Sequence, residues 1–272
     1  MTSADPVDTP DDESPRPMTF TAESSATTRT LQLLDPGRYT RIDTTSHGYC
    51  DVLGDSAPPV YNLAQRLMRT RIYSAGYQVG RPLGLRLASG LKAPGRDADR
   101  AQVSSWLGLR PGATVIDICC GPGNFTGWFG AQVAPGGLAI GLDASSAMLR
   151  RAVADNTGAG VAYLRGDAEN LPFADGVADA VSCLAALYLI NNPFQTIREL
   201  VRVLKPGGRV VILTSLIPGG TRTAVRGAVL DTLSGVRWFG GHEITDALGD
   251  AGCTGIEQHV AGLAQTVVAT KH

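Results

Sequence analysis

Three aspartates lie at or near the ends of three short apolar runs, and the spacing of the first two is suited to binding a nucleoside. Asp117 lies in the run 113–120, and the turn GPGN (121–124) follows directly. Glycines in such a turn allow positive φ and let the backbone approach a ligand closely. Asp143 ends the next run, 22 residues after Gly121. A carboxylate at about that offset can accept both hydroxyl groups of the ribose in an adenosine cofactor.

Two further strings strengthen this prediction. Asp167 lies in the string GDAE (166–169), after the third apolar run. An aspartate followed by alanine at this point can hydrogen-bond the amino group and a ring nitrogen of adenine. The string LKPGGR (204–209) predicts a turn into a later strand. A Gly-x-Gly turn alone is weak evidence, so the prediction rests on all four strings in their order.

The elements that must position these strings are visible from residue 113 onward. Short apolar runs alternate there with stretches of helical periodicity. This alternation is typical of βαβ units, which form a parallel sheet covered by helices on both faces. Ligands of such sheets bind beyond the carboxyl ends of the strands. The predicted strands are 113–120, 138–143, 161–167, 178–187, 209–216, 256–261 and 264–270, and the predicted helices are 124–133, 145–155, 194–204, 221–234 and 243–251.

Together these strings resemble those of class I S-adenosylmethionine-dependent methyltransferases. The likeness is closest to the small-molecule branch with a type 11 domain, which includes the ubiquinone and menaquinone biosynthesis C-methyltransferases. The matching strings are VIDICCGPGNFT, IGLDASSAMLRRA, RGDAENLPFADGVADAV and LVRVLKPGGRVVI. The resemblance implies the α/β class, as a Rossmann-like, doubly wound, mostly parallel seven-stranded sheet with an antiparallel final strand. It also implies S-adenosyl-L-methionine as the cofactor, and methyl transfer to an acceptor by in-line displacement.

The resemblance assigns each matching residue to a part of the cofactor. The acid in the first strand would orient the methionine amino group, and the two glycines of the turn would lie against the methionine part. The acid that ends the second strand would bind the ribose, and the Asp-Ala pair would contact the adenine edge. The full set of expected cofactor contacts is Asp117, Cys119, Gly121, Gly123, Asp143, Ala144, Met148, Asp167, Ala168 and Leu184.

The sequence also departs from the family pattern. Cys119 and Cys120 stand where glycine or alanine is more usual. The residues 185–187 offer no polar group where some relatives have histidine. No catalytic general base is therefore assigned, and no spacing of carboxylates and histidines predicts a metal.

The part of the chain before residue 101 is divided in two by composition. Residues 1–28 are rich in Pro, Ser, Thr and Asp, and are predicted to be a disordered tail. Residues 29–100 are predicted to be a helical extension that acts as a lid or substrate-side region, followed by the cofactor-binding methyltransferase domain over 101–272. Tyr73 and Tyr77 are candidate acceptor contacts, because lids over this fold often come from N-terminal helices. Tyr188 is a third, since the resemblance implies that the segment after the fourth strand faces the acceptor, and His242, which precedes a predicted helix, is the fourth.

Composition restricts the class of partner. The formal net charge is −1, which argues against a protein that depends on attraction to nucleic-acid phosphates. The five cysteines are odd in number and are not spaced as zinc ligands, which indicates small buried side chains in a reducing compartment. Neither a secretory signal nor an apolar run of transmembrane length is present. We expect a cytoplasmic protein that acts on a small, hydrophobic molecule, and a homodimer is left open.

Two alternatives remain at this stage. A nicotinamide-dependent oxidoreductase shares the arrangement of strand, glycine turn and acid, but Thr126 stands where its fingerprint requires a third glycine. A non-catalytic module that retains the cofactor fold is the other, since no general base is assigned.

Overall fold

A computed structural model describes residues 25–55, 96–217, 219 and 224–272. The described helices are α1 (Ala26–Leu31), α2 (Arg96–Leu107), α3 (Asn124–Val133), α4 (Ser146–Asp155), α5 (Pro193–Val203), α6 (Ala224–Ser234) and α7 (Glu243–Asp250). The strands are β1 (Asp43–Thr44), β2 (Cys50–Asp51), β3 (Thr114–Ile118), β4 (Leu138–Asp143), β5 (Val161–Arg165), β6 (Ala178–Leu184), β7 (Leu204–Ser215), β8 (Cys253–Ala261) and β9 (Ala264–Lys271).

All nine strands form one sheet in the order β1-β2-β5-β4-β3-β6-β7-β9-β8. The strands β2, β5, β4, β3, β6 and β7 are parallel to one another, whereas β1 is antiparallel to β2, and β9 is antiparallel to both β7 and β8. The chain moves from β3 to one side of the sheet and later returns to the other side through β6. The gap between β3 and β6 is therefore the topological switch point, beyond which ligands of such sheets bind.

Alternation along the strands sends apolar side chains to both faces of the sheet. Val115 packs in a cluster with Phe129 of α3, while its neighbour Ile116 packs on the opposite face with Leu200 of α5. All four side chains are fully buried. Burial on both faces explains why the strand sequences are almost continuously apolar.

Local capping sets where two of the helices at the site begin. Ser145 precedes α4, and its hydroxyl accepts a hydrogen bond from the N–H of Met148 at 3.3 Å. Asn192 precedes α5 in the same way, and Pro193 stands at the first helical position. Serine and asparagine are preferred at this position because their oxygens satisfy a free N–H of the first turn.

The predicted fold class is confirmed, with one addition. The seven predicted strands are present, and β1 and β2 extend the sheet beside β5. The prediction of a helical extension over 29–100 is therefore wrong for residues 43–51, which form a short hairpin. The carbonyl of Thr45 accepts the N–H of Gly48 across the turn, and Gly48 has a φ of 83°, a conformation that favours glycine.

Some predicted boundaries also shift. Helix α1 begins at Ala26, two residues before the end of the predicted disordered tail. Strand β6 ends at Leu184 rather than 187, because Ala185 has a positive φ and a 3₁₀ turn follows over Leu187–Leu189. Residues 56–95 of the predicted helical extension lie outside the described residues. Within the described part of the chain, no helix combines the length and apolar character needed to cross a membrane.

Candidate functional site at the carboxyl edge of the sheet

The three predicted aspartates lie at the same edge of the sheet. Asp117 is beside Gly141 in the pairing of β3 with β4, and Asp143 is beside Arg165 in the pairing of β4 with β5. Asp167 follows the end of β5 by two residues, and the carbonyl of Asp143 accepts the N–H of Gly166 at 3.3 Å. The carboxyl ends of three neighbouring strands therefore bring these residues into one crevice.

Asp143 connects the glycine turn to the second strand. Its Oδ2 accepts the N–H of Gly121 at 2.9 Å, and its Oδ1 accepts the N–H of Ser145 at 2.8 Å. A carboxylate has about four acceptor sites, so it can hold these two N–H groups and also accept hydroxyl groups of a ligand. The geometry of Asp143 thus agrees with the predicted ribose contact.

Both glycines of the turn have positive φ, but they face different surroundings. Gly121 has a φ of 56°, and a Cβ placed on it would meet no described atom within 4 Å. Gly123 has a φ of 76°, and a Cβ there would collide with the hydroxyl of Tyr163 and contact Ala152. Gly121 therefore borders open space in the crevice, whereas Gly123 allows the turn to pack closely on the protein beneath it.

Tyr163 supports the glycine turn from below through two hydrogen bonds. Its hydroxyl donates to the carbonyl of Asn156 at 2.7 Å, and the Asn156 amide donates to the carbonyl of Pro122 at 2.8 Å. Burial raises the pKa of Tyr163, with smaller contributions from Cys120 and Asp117, so the phenol stays protonated and remains a donor. The turn is held in place by side chains that the sequence analysis did not select.

Asp117 is buried and bonded to two hydroxyl groups. Its Oδ2 accepts from Thr126 of α3 and its Oδ1 accepts from Ser182 of β6, both at 2.7 Å. Ser182 is its direct partner in the pairing of β3 with β6. Asp117 is only 3 % exposed, and its two hydrogen bonds join β3 to α3 and to β6 immediately below the crevice.

Two residues beside the switch point have left-handed backbone conformations without being glycine. Cys119 follows β3 and Ala185 follows β6, and each has a φ of 57°. Such conformations cost about 1–3 kcal/mol each, and persist only where the surrounding structure enforces them. They turn the chain away from the sheet on either side of the gap where a ligand would lie.

The thiols at this edge are neutral. A hydrogen bond with Cys183, followed by burial and the charge of Asp143, raises the pKa of Cys119 well above its usual value. Burial, followed by the charges of Asp143 and Asp117, does the same for Cys120. Neutral thiols are poor nucleophiles and poor metal ligands. The described residues contain no cluster of His, Cys, Asp or Glu that could hold a metal ion.

The remaining predicted cofactor contacts lie around the same crevice. Asp167 accepts the N–H of Glu169 at 2.9 Å, which fixes the loop after β5. Ala168 is buried beside it. Met148 is buried in the first turn of α4, Ala144 follows β4, and Leu184 ends β6.

Of the four residues predicted to contact the acceptor, the structure describes two. Tyr188 lies half-buried in the 3₁₀ turn beyond β6, and its carbonyl accepts the N–H of Arg237 at 2.9 Å. His242 precedes α7, and its side chain makes no capping hydrogen bond there. Tyr73 and Tyr77 lie outside the described residues.

Sequence reasoning missed several side chains that build the site. Ser182 was detectable as a hydroxyl within the apolar run 180–187, and Arg165 as a charge at the end of a strand. Tyr163 and Asn156 gave no signal, because their contacts depend on how α4 packs on the sheet.

Comparison with known proteins agrees with this geometry. Residues 116–212 match a family described as a methyltransferase domain. A demethylmenaquinone methyltransferase of Lactococcus lactis is 36% identical over 125 residues, which are 45% of this chain and 50% of that protein. A ubiquinone/menaquinone biosynthesis C-methyltransferase of Ectopseudomonas mendocina is 35% identical over 131 residues, 47% of this chain and 50% of that protein. The chain thus spans about half the length of the curated relatives it matches.

Solved structures share the fold. The phosphoethanolamine N-methyltransferase 2 of Haemonchus contortus, in complex with S-adenosyl-L-methionine, superposes with a TM-score of 0.59 at 16% identity. The match covers 74% of this chain and 57% of that one. The [4+2]-cyclase SpnF gives 0.58 at 17% identity, over 78% of this chain and 97% of that one. The fold thus occurs in a protein that is named for a different reaction.

Proposed function

We propose that this chain, which carries a methyltransferase domain over residues 116–212, transfers a methyl group from S-adenosylmethionine to a small hydrophobic acceptor. The observation that carries the proposal is the arrangement at the carboxyl edge of the sheet. Asp143, the last residue of β4, is bonded there to the N–H of Gly121, which follows the neighbouring strand β3 at the switch point.

The residues present fit an adenosine that carries a cationic methionine part. Gly121 leaves open space above the turn, and Asp143 can accept hydroxyl groups. Burial, followed by the charges of Asp143 and Asp117, raises the pKa of Cys120, so the two carboxylates lie close enough to this edge to act on a charge there. A negative potential favours a ligand that carries positive charge. An anionic dinucleotide would gain nothing from it, so it argues against the nicotinamide alternative.

When bound, S-adenosylmethionine supplies a methyl group activated by the positive sulfonium. The methyl group would pass in line to the acceptor, with the electron pair of the carbon–sulfur bond left on sulfur. An acceptor with a proton on the reacting atom would release that proton to solvent, since no general base is assigned. The described residues of the chain would position the acceptor and exclude water, because the apolar segment Leu184–Leu187 is buried at the end of β6 and just beyond it. Orientation of this kind is worth about 7–11 kcal/mol in favourable cases.

The acceptor class is proposed from the relatives and from the sequence. Two of the matched relatives are named for quinone substrates, and the segment beyond β6 offers apolar side chains. We therefore propose a quinone-like or similarly lipid-like acceptor that enters over Leu184 and Tyr188. Tyr73, Tyr77 and His242 are proposed to contact it. We also propose a cytoplasmic location, and a homodimer as the state to test by light scattering.

Calorimetry and a transfer assay test the proposal together. We expect the purified chain to bind S-adenosylmethionine and S-adenosylhomocysteine, and NADH to compete with neither. An extract fraction of small hydrophobic molecules should gain label from an isotopically labelled methyl donor, and mass spectrometry should identify the product. Absence of binding to both ligands would contradict the proposal.

A second candidate is a protein that binds the cofactor without transferring the methyl group. SpnF, a [4+2]-cyclase by name, favours keeping it, since it shares this fold over 78% of the chain. Binding of S-adenosylmethionine without transfer of label to any fraction would support this candidate.

A further inference from the structure

A side chain that the sequence analysis did not select spans the gap between the N-terminal strand β2 and the predicted adenosine side of the crevice. Arg165 ends β5, beside Asp143 on one side and Asp51 on the other. Its Nε donates to the carbonyl of Ala144 at 3.1 Å. Its Nη1 donates to Asp51 Oδ2 and to the carbonyl of Gly54, each at 2.8 Å.

At the β2 end of this connection, further hydrogen bonds fix the backbone of residues 51–54. Asp51 Oδ1 accepts the N–H groups of Leu53 at 2.9 Å and Gly54 at 3.0 Å, while the N–H of Val52 donates to the carbonyl of Arg165 at 3.1 Å. The side chains of Asp51 and Arg165 are only 14% and 15% exposed. Removal from water strengthens such a pair and ties the backbone of residues 51–54 to β5.

The near end lies where the proposed cofactor would be held. Ala144 stands between Asp143, the proposed ribose ligand, and Ser145, which caps α4. The guanidinium therefore fixes the carbonyl of a residue that precedes the first turn of α4. We propose that Arg165 is a positioning residue that couples strand β2 to the adenosine side of the cofactor site through Ala144 and Asp51. This inference rests on the proposed function, because it assumes that an adenosine occupies this side.

Coupling of this kind is reciprocal. If the bonds from Arg165 favour the conformation of 143–145 that binds the nucleoside, then binding the nucleoside must stabilise the contacts with residues 51–54. A residue with a merely structural role would lower stability without linking ligand binding to the N-terminal segment.

The experiment uses the full chain, with S-adenosylhomocysteine as the probe. Arg165→Met keeps the apolar stem and removes the donors. Arg202→Met is the matched control. Arg202 is 17% exposed and lies in the last turn of α5, where its carbonyl accepts the N–H of Gly176 ahead of β6. Its side chain bonds Glu199 and Asp175 and the carbonyls of Leu171 and Phe173. We expect the dissociation constant to rise about tenfold in Arg165→Met, equivalent to about 1.4 kcal/mol, and to stay within about twofold in Arg202→Met.

Hydrogen exchange gives the second readout. The ligand should slow exchange of the Leu53 and Gly54 amides in the wild type and in Arg202→Met, but not in Arg165→Met. If Arg165→Met does not fold, Asp51→Asn decides the matter: it retains the arginine, and we expect about threefold weaker binding and loss of the ligand effect on these amides.

The outcomes separate the two proposals. Failure of the wild type to bind the probe contradicts the proposed function and this inference with it. Normal binding by folded Arg165→Met, or equal weakening by Arg202→Met, overturns this inference alone.

Discussion

Acidic side chains occupy both edges of the sheet, but their partners differ. At the amino edge, Asp179 pairs with Lys205 at 2.9 Å, and Asp175 pairs with Arg202 at 2.7 Å. At the carboxyl edge, Asp117 accepts from two hydroxyl groups, and Asp143 accepts from two backbone amides. Cationic partners cancel the charge of a carboxylate, whereas hydroxyl and amide donors stabilise it and leave its field in place.

The effects on nearby groups agree with this difference. At the amino edge, the pKa of Asp175 is lowered, chiefly by its hydrogen bond with Arg202. At the carboxyl edge, the charge of Asp143 contributes to the raised pKa of both Cys119 and Cys120. At the amino edge, Asp175 and Asp179 thus join elements of the fold through cationic partners. At the carboxyl edge, Asp51 also pairs with Arg165, and we propose that Asp143 presents its negative charge to a ligand. The predictions below test this division.

The largest effect is expected when the acid at the crevice is removed. Asp143→Ala deletes the partner of the Gly121 amide and the proposed acceptor for ribose hydroxyls. We expect about 100-fold weaker binding of S-adenosylmethionine by calorimetry, about 2.7 kcal/mol. Asp179→Ala is the matched control at the other edge, and should leave affinity within about twofold while lowering the unfolding temperature. Comparable loss in both variants would show that the two edges do not differ.

Two glycines that both have a positive φ provide a finer comparison. Gly121 and Gly112 have φ values of 56° and 81°, and a Cβ on either would meet nothing within 4 Å. Alanine at each should cost about 1–2 kcal/mol of unfolding free energy. Only Gly121→Ala should also weaken cofactor binding, by roughly tenfold, because only Gly121 borders the crevice (1.4 kcal/mol per tenfold). Equal affinities in the two variants would place the ligand elsewhere.

The support beneath the glycine turn should have a smaller effect. Tyr163→Phe keeps the ring but removes the hydroxyl that donates to Asn156. We expect a loss of about 1 kcal/mol in denaturant unfolding, because one buried acceptor loses its partner. Cofactor affinity should fall about threefold, a change of less than 1 kcal/mol. Unchanged stability and affinity would show that this bond does not support the turn.

The smallest effect is a pH dependence confined to the amino edge. Burial alone would raise the pKa of Asp179, but the Thr114 amide, Lys205 and Arg110 together lower it. A lowered folded-state pKa stabilises the fold above the unfolded value of about 3.9, and this stabilisation is lost as the pH falls through the folded value. The stability difference between wild type and Asp179→Asn should therefore be largest near neutral pH and shrink below about pH 4. Urea unfolding from pH 3 to 7 measures it, and a difference that grows on acidification would contradict it.

The sequence predicted the sheet because burial on two faces requires nearly continuous apolar runs, which β3, β4 and β6 show. It predicted the glycine turn and Asp143 because their spacing reflects the length of one helix and the strand that follows it. It did not predict the hairpin at 43–51, since the pairing of β2 with β5 joins residues more than 100 positions apart and leaves no periodic signal.

The division of the chain at residues 28 and 100 remains a prediction, as do the contacts of Tyr73 and Tyr77. The site was predicted as a list of residues that touch a ligand. Its supports were not, and they include Thr126, which the sequence analysis considered only as a missing glycine. In the structure Thr126 is fully buried and bonded to Asp117.

By itself, the sequence determined the fold class and the order of the strands that carry Asp117, Asp143 and Asp167. Local pattern is sufficient for this, because apolar runs, turns and helical stretches alternate along the chain in the order of the elements. Only the tertiary structure decided which donors surround each carboxylate, and that Arg165 joins Ala144 to Asp51. These contacts depend on side chains meeting across the sheet, and neither the distance nor the direction of such a meeting is encoded in local spacing.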